Sequence, residues 1–241
     1  MSDAIEIRSS AELPSVREAI TLKTSDGLNL VGELALPVGR PPVATLITLH
    51  PLPTHGGFMD SHVLRKAANR LPELADLAVL RFNTRGTESP RGKSDGVFGD
   101  GITEAADVQA AIDFALSRGL PKLWLVGWSF GTELAIKYGF DAPIEGVILL
   151  SPPLRRAKDE DLSRWIGNHR QMLAIVPEHD DYLQPEEASR RFSLVHHARV
   201  IGVNDAKHLW VGELATARVL NEIVLAVNPE RYPLPTSWRP N

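Results

Sequence analysis

Gly127, Ser129 and Gly131 are spaced as Gly-x-Ser-x-Gly, with Trp128 and Phe130 between them. Lys122 to Trp128 is apolar enough for a buried strand, and Thr132 to Tyr138 has a helical pattern, which puts Ser129 at a strand-to-helix turn. A side chain on so sharp a turn has its hydroxyl lifted clear of the sheet, and the flanking glycines let backbone and substrate approach. Such a position serves nucleophilic attack.

A serine hydroxyl is a poor nucleophile near neutral pH and needs a positioned base, most often an imidazole. Of the eight histidines, His208 fits: it follows the last predicted strand by the short loop 204–207 and precedes the final helix. The base needs a carboxylate to fix its tautomer. Asp180, just past the predicted strand Met172 to Val176, is preferred over its neighbour Asp181, and Asp205 reads as a plain Asn-Asp turn. The chain order is then nucleophile, acid, base. An oxyanion needs two donors. One is the Phe130 amide, next to the nucleophile. The other is the Leu52 amide, because Pro51 and Pro53 on either side of it have no N–H. His55, beside Gly56 and Gly57, is expected to touch substrate, and Trp128, Trp165 and Trp210 to line the pocket.

The elements that must hold these residues follow from periodicity. Val16 to Pro37 reads as a hairpin around Ser25-Asp26-Gly27. Predicted strands at 44–50, 78–83, 123–128, 146–151, 172–176 and 199–203 then alternate with helices at 61–71, 103–116, 130–138, 185–194 and 211–227. Near-continuous apolar strands between amphipathic helices predict a mostly parallel sheet covered on both faces. Ligands bind beyond the carboxyl ends of such strands, where all the residues named above fall. Only 152–171 is available for a cap, enough for one short helix at 159–166 with Trp165 as its apolar anchor, so an open site is expected.

At 241 residues and 43% hydrophobic, the chain is read as one α/β domain, with an N-terminal extension over 1–15 and a proline-rich tail over 229–241. The tail is expected to pack on the domain surface or against a second subunit of a homodimer. With 26 basic and 30 acidic residues, a formal charge of −4 and no long run of either sign, nucleic acid and anionic membranes are not the expected partners. Cysteine is absent, which excludes disulfides and thiolate chemistry. The start lacks the order of a signal peptide, and no apolar run is long enough for a bilayer, so the expectation is a cytoplasmic protein.

His50-Pro51-Leu52-Pro53 with Gly56-Gly57, then Leu80 to Gly86, the turn at Ser129, Asp180 and His208 together resemble the α/β-hydrolase family, in particular its small lidless members. The resemblance spans about 16 to 228. It implies an α/β-hydrolase fold, a sheet of about eight strands with an N-terminal antiparallel hairpin and a minimal cap. It further implies a serine hydrolase acting on esters, thioesters or other small acyl substrates through an acyl-enzyme, without cofactor or metal. Leu52 stands where this subgroup often has histidine, Glu88 where glycine is usual, and Pro177 where the acid turn often carries glycine. Peptide, lactone or peracid chemistry would use the same residues. A binding or scaffold protein that keeps the fold without turnover, and a metal-dependent hydrolase, are the readings from other classes.

Other features read more simply. The glycine-rich loop 85–101 lacks a Gly-Lys-Ser/Thr ending and is expected to be a mobile loop bordering the site. His50 is expected to end its strand with a structural hydrogen bond, and no metal-binding spacing accompanies it, His55 or His179. Glu104 and Asp107 are expected to cap a helix. Arg155, Arg156 and Lys158, next to Asp159, Glu160 and Asp161, read as solvated surface, with attraction of an acidic substrate tail as the alternative.

Overall fold

The computed structural model describes residues 4–240. The hairpin is present as β1 (Val16–Lys23) and β2 (Asn29–Leu36), antiparallel to each other. Six further strands follow: β3 (Ala44–Leu49), β4 (Leu77–Phe82), β5 (Leu123–Trp128), β6 (Gly146–Leu150), β7 (Gln171–His179) and β8 (Ala198–Lys207). They form one eight-stranded sheet in the order β8-β7-β6-β5-β3-β4-β2-β1. β2 pairs antiparallel to β4, and every pairing from β4 to β8 is parallel. The chain order reverses at β3, between β4 and β5, and a crevice opens there at the strand ends.

Strand alternation decides what each helix covers. Leu123 and Leu125 of β5 face one side, where they pack with α2 (Ala105–Ser117), α3 (Phe130–Tyr138) and α5 (Pro185–Phe192). Trp124, Val126 and Trp128 face the other, with α1 (His62–Ala75) and α6 (Glu213–Val227). Every residue of β3, β4, β5 and β6 is buried, as a sheet covered on both faces requires. The cap is α4 (Asp159–Ser163), a single five-residue helix.

Several boundaries differ from the sequence reading: β8 runs to Lys207 rather than ending at Val203, and α4 stops at Ser163 rather than at 166. Two more have a visible physical cause. α1 does not stop at Leu71 but runs through Pro72 to Ala75. Proline at 72 removes one helical donor and leaves the Ala68 carbonyl without its partner. The Arg17 guanidinium takes that carbonyl at 3.2 Å, so the helix continues. β7 extends past Val176 to His179, with a register shift between Pro177, which pairs with Val203 but has no N–H to donate, and His179. The proline-rich tail lies on the domain surface: Ser237–Trp238 pairs with Ile5–Glu6, and Trp238 Nε1 donates to Glu73 at 3.0 Å.

A buried charge cluster ties the hairpin to the loop before α1. Arg81 of β4 is fully buried and contacts Glu33, directly opposite it on β2, and Asp60 at 2.6 Å. Arg17 and Arg91 each reach Glu33 at 2.8 Å. Glu33→Ala would leave Arg81 short of a counter-charge in a site that water does not reach. Removing one partner of such a pair costs about 3–5 kcal/mol. Urea denaturation of this variant is expected to show a loss of that size, and a loss under 1 kcal/mol would mean that Asp60 alone satisfies the arginine.

Candidate functional site

Ser129 occupies the single residue between β5 and α3, with φ 52° and ψ −116°. A residue with a Cβ rarely adopts such a backbone, and its strain must be held by neighbours. Three hydrogen bonds hold it here. Ser129 N–H donates to the Leu150 carbonyl on β6 at 2.8 Å, and its own carbonyl accepts from the Thr132 amide at 2.9 Å and hydroxyl at 2.6 Å. α3 comes so close to β3 that a Cβ on Gly131 would lie 2.0 Å from the Leu49 carbonyl oxygen. Only glycine fits there.

His208 follows β8 directly, and Asp180 follows the extended end of β7. His208 Nε2 lies 2.9 Å from Ser129 Oγ, and His208 Nδ1 lies 2.9 and 3.1 Å from the two Asp180 oxygens. Asp180 Oδ1 also accepts the amides of Tyr182 at 2.9 Å and Leu183 at 3.3 Å. Since a carboxylate only accepts, Nδ1 carries the imidazole proton and Nε2 is free to accept from the serine hydroxyl. Asp181 is exposed and donates or accepts no side-chain hydrogen bond among the described residues, and Asp205 is not the plain turn residue expected but an exposed position near the end of β8, with φ 56°. The His208 carbonyl is fixed in turn by Trp128 Nε1 at 3.2 Å and Ser151 Oγ at 3.1 Å.

The loop after β3 brings Leu52 to the same cavity as Ser129, Phe130, His55 and His208. The loop is folded on itself: Gly57 N–H donates to the Leu52 carbonyl at 3.0 Å, and a Cβ at Gly57 would meet the Pro51 oxygen at 2.1 Å. The Leu52 and Phe130 amides donate to no protein acceptor among the described residues. The cavity measures about 160 Å³ and opens to solvent. A larger groove of about 610 Å³, between Phe140 and Arg170, lies at the opposite end of the sheet and is lined by no serine.

The three tryptophans do not line this cavity. Trp128 shares the face of Trp124 and Val126, so strand alternation turns its ring into the core away from the hydroxyl beside it. Trp210 is fully buried in that same core. Trp165 is fully buried against α3, where its Nε1 donates to the Ile136 carbonyl at 2.9 Å. Glu104 and Asp107 are more than helix caps. Glu104 is buried and accepts the Gly99 and Gly101 amides at 2.7 and 2.9 Å, and Asp107 accepts both the Arg85 amide and guanidinium at 2.8–2.9 Å. Burial pushes the Asp107 carboxyl up, against the opposing pull of Arg85. These contacts pin loop 85–101, whose Phe98 meets Phe130 edge-on at 5.5 Å. Nothing in the sequence points to Glu133, one turn past Ser129. It is buried and accepts the amides of Arg155 at 2.6 Å, Arg156, and Ala157 at 3.3 Å. No motif marks it.

Glu178, His179 and Asp205 have potential ligand atoms within 4.8 Å of one another, all on exposed residues, and Glu178 already accepts the Asp205 amide. Among the described residues no helix is long and apolar enough to cross a membrane.

A sequence profile described as the alpha/beta hydrolase family matches residues 49–239. A Rickettsia prowazekii (strain Madrid E) protein, RP471, is 32% identical over 121 residues. The match covers 48% of each chain, so this chain aligns with about half the length of that relative. XC6422 from Xanthomonas campestris, described as an a/b serine hydrolase without lid, superposes with a TM-score of 0.73 at 26% identity, over 90% of this chain and 97% of that one. An alpha-beta serine hydrolase homologue from Coxiella burnetii has the same fold, with a TM-score of 0.74 at 23% identity, over 87% and 97%.

His50 holds the base of the Leu52 loop. Its Nδ1 donates to the Pro51 carbonyl at 2.6 Å and its Nε2 accepts the Thr84 amide at 3.1 Å, so the buried ring is neutral. Burial lowers its pKa from 6.5 to about 4. Between those values the unfolded chain binds a proton that the folded one refuses, so stability falls as pH drops through this window. The loss is on the order of 3 kcal/mol for a shift of this size. Denaturation at pH 6.5 and pH 4 is expected to show it in the wild type and not in His50→Gln, and equal slopes would contradict a neutral buried ring.

Proposed function

The chain belongs to the alpha/beta hydrolase family, and from that premise we propose that it is a serine hydrolase cleaving an ester or thioester of a small acyl group. The observation that carries this reading is the hydrogen-bonded relay from Ser129 Oγ through His208 to Asp180. As Ser129 attacks the acyl carbonyl, its proton passes to His208 Nε2, and Asp180 stabilises the resulting imidazolium. The tetrahedral oxygen takes the Phe130 and Leu52 amides, which have no competing acceptor. His208 then protonates the leaving group, and the acyl chain remains on Ser129. Water enters through the open mouth and bonds to the acyl carbon as it gives one proton to His208, which returns that proton to Ser129 Oγ as the Ser129–acyl bond breaks and the acid leaves.

The volume of the cavity argues for a short acyl group. At about 160 Å³ it is smaller than the roughly 300–1,000 Å³ typical of sites for drug-sized ligands. Longer chains would have to extend over the rim, where they bury little surface.

Intact-mass analysis after a fluorophosphonate is expected to give one adduct, mapped to Ser129. Ser129→Ala should remove it and lower kcat by about 10⁴-fold or more, without a change in denaturation midpoint. Hydrolysis should persist in strong chelator. A folded protein with no adduct at Ser129 would reject the reading.

A further inference from the structure

The chemistry proposed above uses the groups at the floor of the cavity and leaves its rim unassigned. Arg155 and Arg156 both line the cavity, but in different states. Arg156 is neutralised by Asp100 at 2.6 Å and Glu133 at 3.6 Å. Arg191, close by, is neutralised by Asp159 at 2.7 Å. The Arg155 guanidinium has no carboxylate within ion-pair distance and no hydrogen-bond acceptor among the described residues. Instead it lies over the ring of Tyr182, 4.5 Å from its centre. Tyr182 meets the His208 imidazole edge-on, with ring centres 4.6 Å apart. An unpaired cation therefore stands one aromatic ring away from the base.

Its backbone is fixed from both sides, while its side chain, like that of Tyr182, is exposed. The Arg155 amide donates to buried Glu133 at 2.6 Å, and its carbonyl accepts Lys158 Nζ at 2.6 Å. Tyr182 is fixed by its own amide on Asp180. A guanidinium stacked on a ring keeps its edge of N–H donors free, in a geometry suited to a carboxylate or phosphate. Glu133 lines the cavity too, but its Oε1 accepts three amides and its Oε2, without a hydrogen-bond partner, faces Arg156 at 3.6 Å and makes no ion pair with Arg155.

We infer that Arg155 is a specificity determinant: the free guanidinium stacked on Tyr182 at the cavity rim recognises an anionic group carried by the substrate a few bonds from the scissile carbonyl. This rests on the hydrolase reading above. The cavity accommodates only a short spacer between Ser129 and the rim, so the substrate class is a small acyl compound with a carboxylate or phosphate on its acyl or its leaving part.

Paired esters test it. For the acyl part, p-nitrophenyl hydrogen adipate is compared with p-nitrophenyl hexanoate. For the leaving part, 4-acetoxybenzoate is compared with its methyl ester, uncatalysed rates being subtracted in both. In at least one pair, Arg155→Gln should reduce the anionic-to-neutral ratio of kcat/KM by about tenfold, the size expected for one charge-assisted hydrogen bond. The change should fall mainly in KM. Arg155→Lys should recover part of the ratio, Arg155→Glu should depress it further, and raised ionic strength should narrow the wild-type preference. The pair that responds identifies which side bears the charge. Equal loss on both members of each pair, or an unchanged ratio, overturns the inference while fluorophosphonate labelling of Ser129 leaves the hydrolase reading standing. Absence of labelling overturns both.

Discussion

The close approach of α3 to β3 governs the rest of the site. With no side chain at Gly131, the helix packs directly on the Leu49 carbonyl, and the chain must turn from β5 into α3 within the single residue Ser129. That requirement forces the serine to positive φ and raises its hydroxyl toward the crevice. Strain of order 1–3 kcal/mol is typical of such a residue. The Leu150, Thr132 and Leu49 contacts over-determine the turn, so it cannot relax. The hydroxyl is therefore presented before any substrate arrives.

Around this turn, carboxylates act as loop anchors. Glu104 gathers Gly99 and Gly101, Asp107 gathers Arg85, Glu133 gathers 155–157, and Asp180 gathers Tyr182 and Leu183 while it orients His208. Three of them exchange water for two or three backbone N–H donors, and Asp107 for the Arg85 amide and guanidinium, which is what allows a charged group to be buried. Loops at the ends of strands have many unpaired amides, and an acceptor with two oxygens can satisfy two or three at once. The price of burial is thereby offset, and the irregular segments around the cavity are tied to the helices and strands that carry these carboxylates.

The fold was legible in the sequence because its strands and helices differ in period and because proline, glycine and serine marked the turns between them. Leu52 could be singled out because its neighbours lack an N–H, a fact of composition. Ser129, Asp180 and His208 could be placed at strand ends from element order, and the structure brings them within hydrogen-bond distance. The tryptophans were misplaced for an equally physical reason. Trp128 adjoins Ser129 in sequence, but alternation along β5 sends its ring to the opposite face. Periodicity also says nothing of long-range partners. The Arg17 contact that lets α1 pass Pro72 joins residues 51 apart, and the Glu133 contacts join residues 22 to 24 apart.

The short cap has an energetic consequence for selectivity. A site closed by several helices can discriminate by burying polar groups, since an unpaired partner there costs the full desolvation penalty. α4 is too small to close this one, so water remains at the rim and weakens each contact made there. Under those conditions a flexible lysine would lose most of its benefit to side-chain entropy and solvent. A guanidinium stacked on a ring, with its backbone pinned at both amide and carbonyl, has less of that freedom left to lose. Preorganisation of the rim thus substitutes for enclosure, and the Glu133 anchor that joins Arg155 to the first turn of α3 couples the rim to the same turn that raises the hydroxyl.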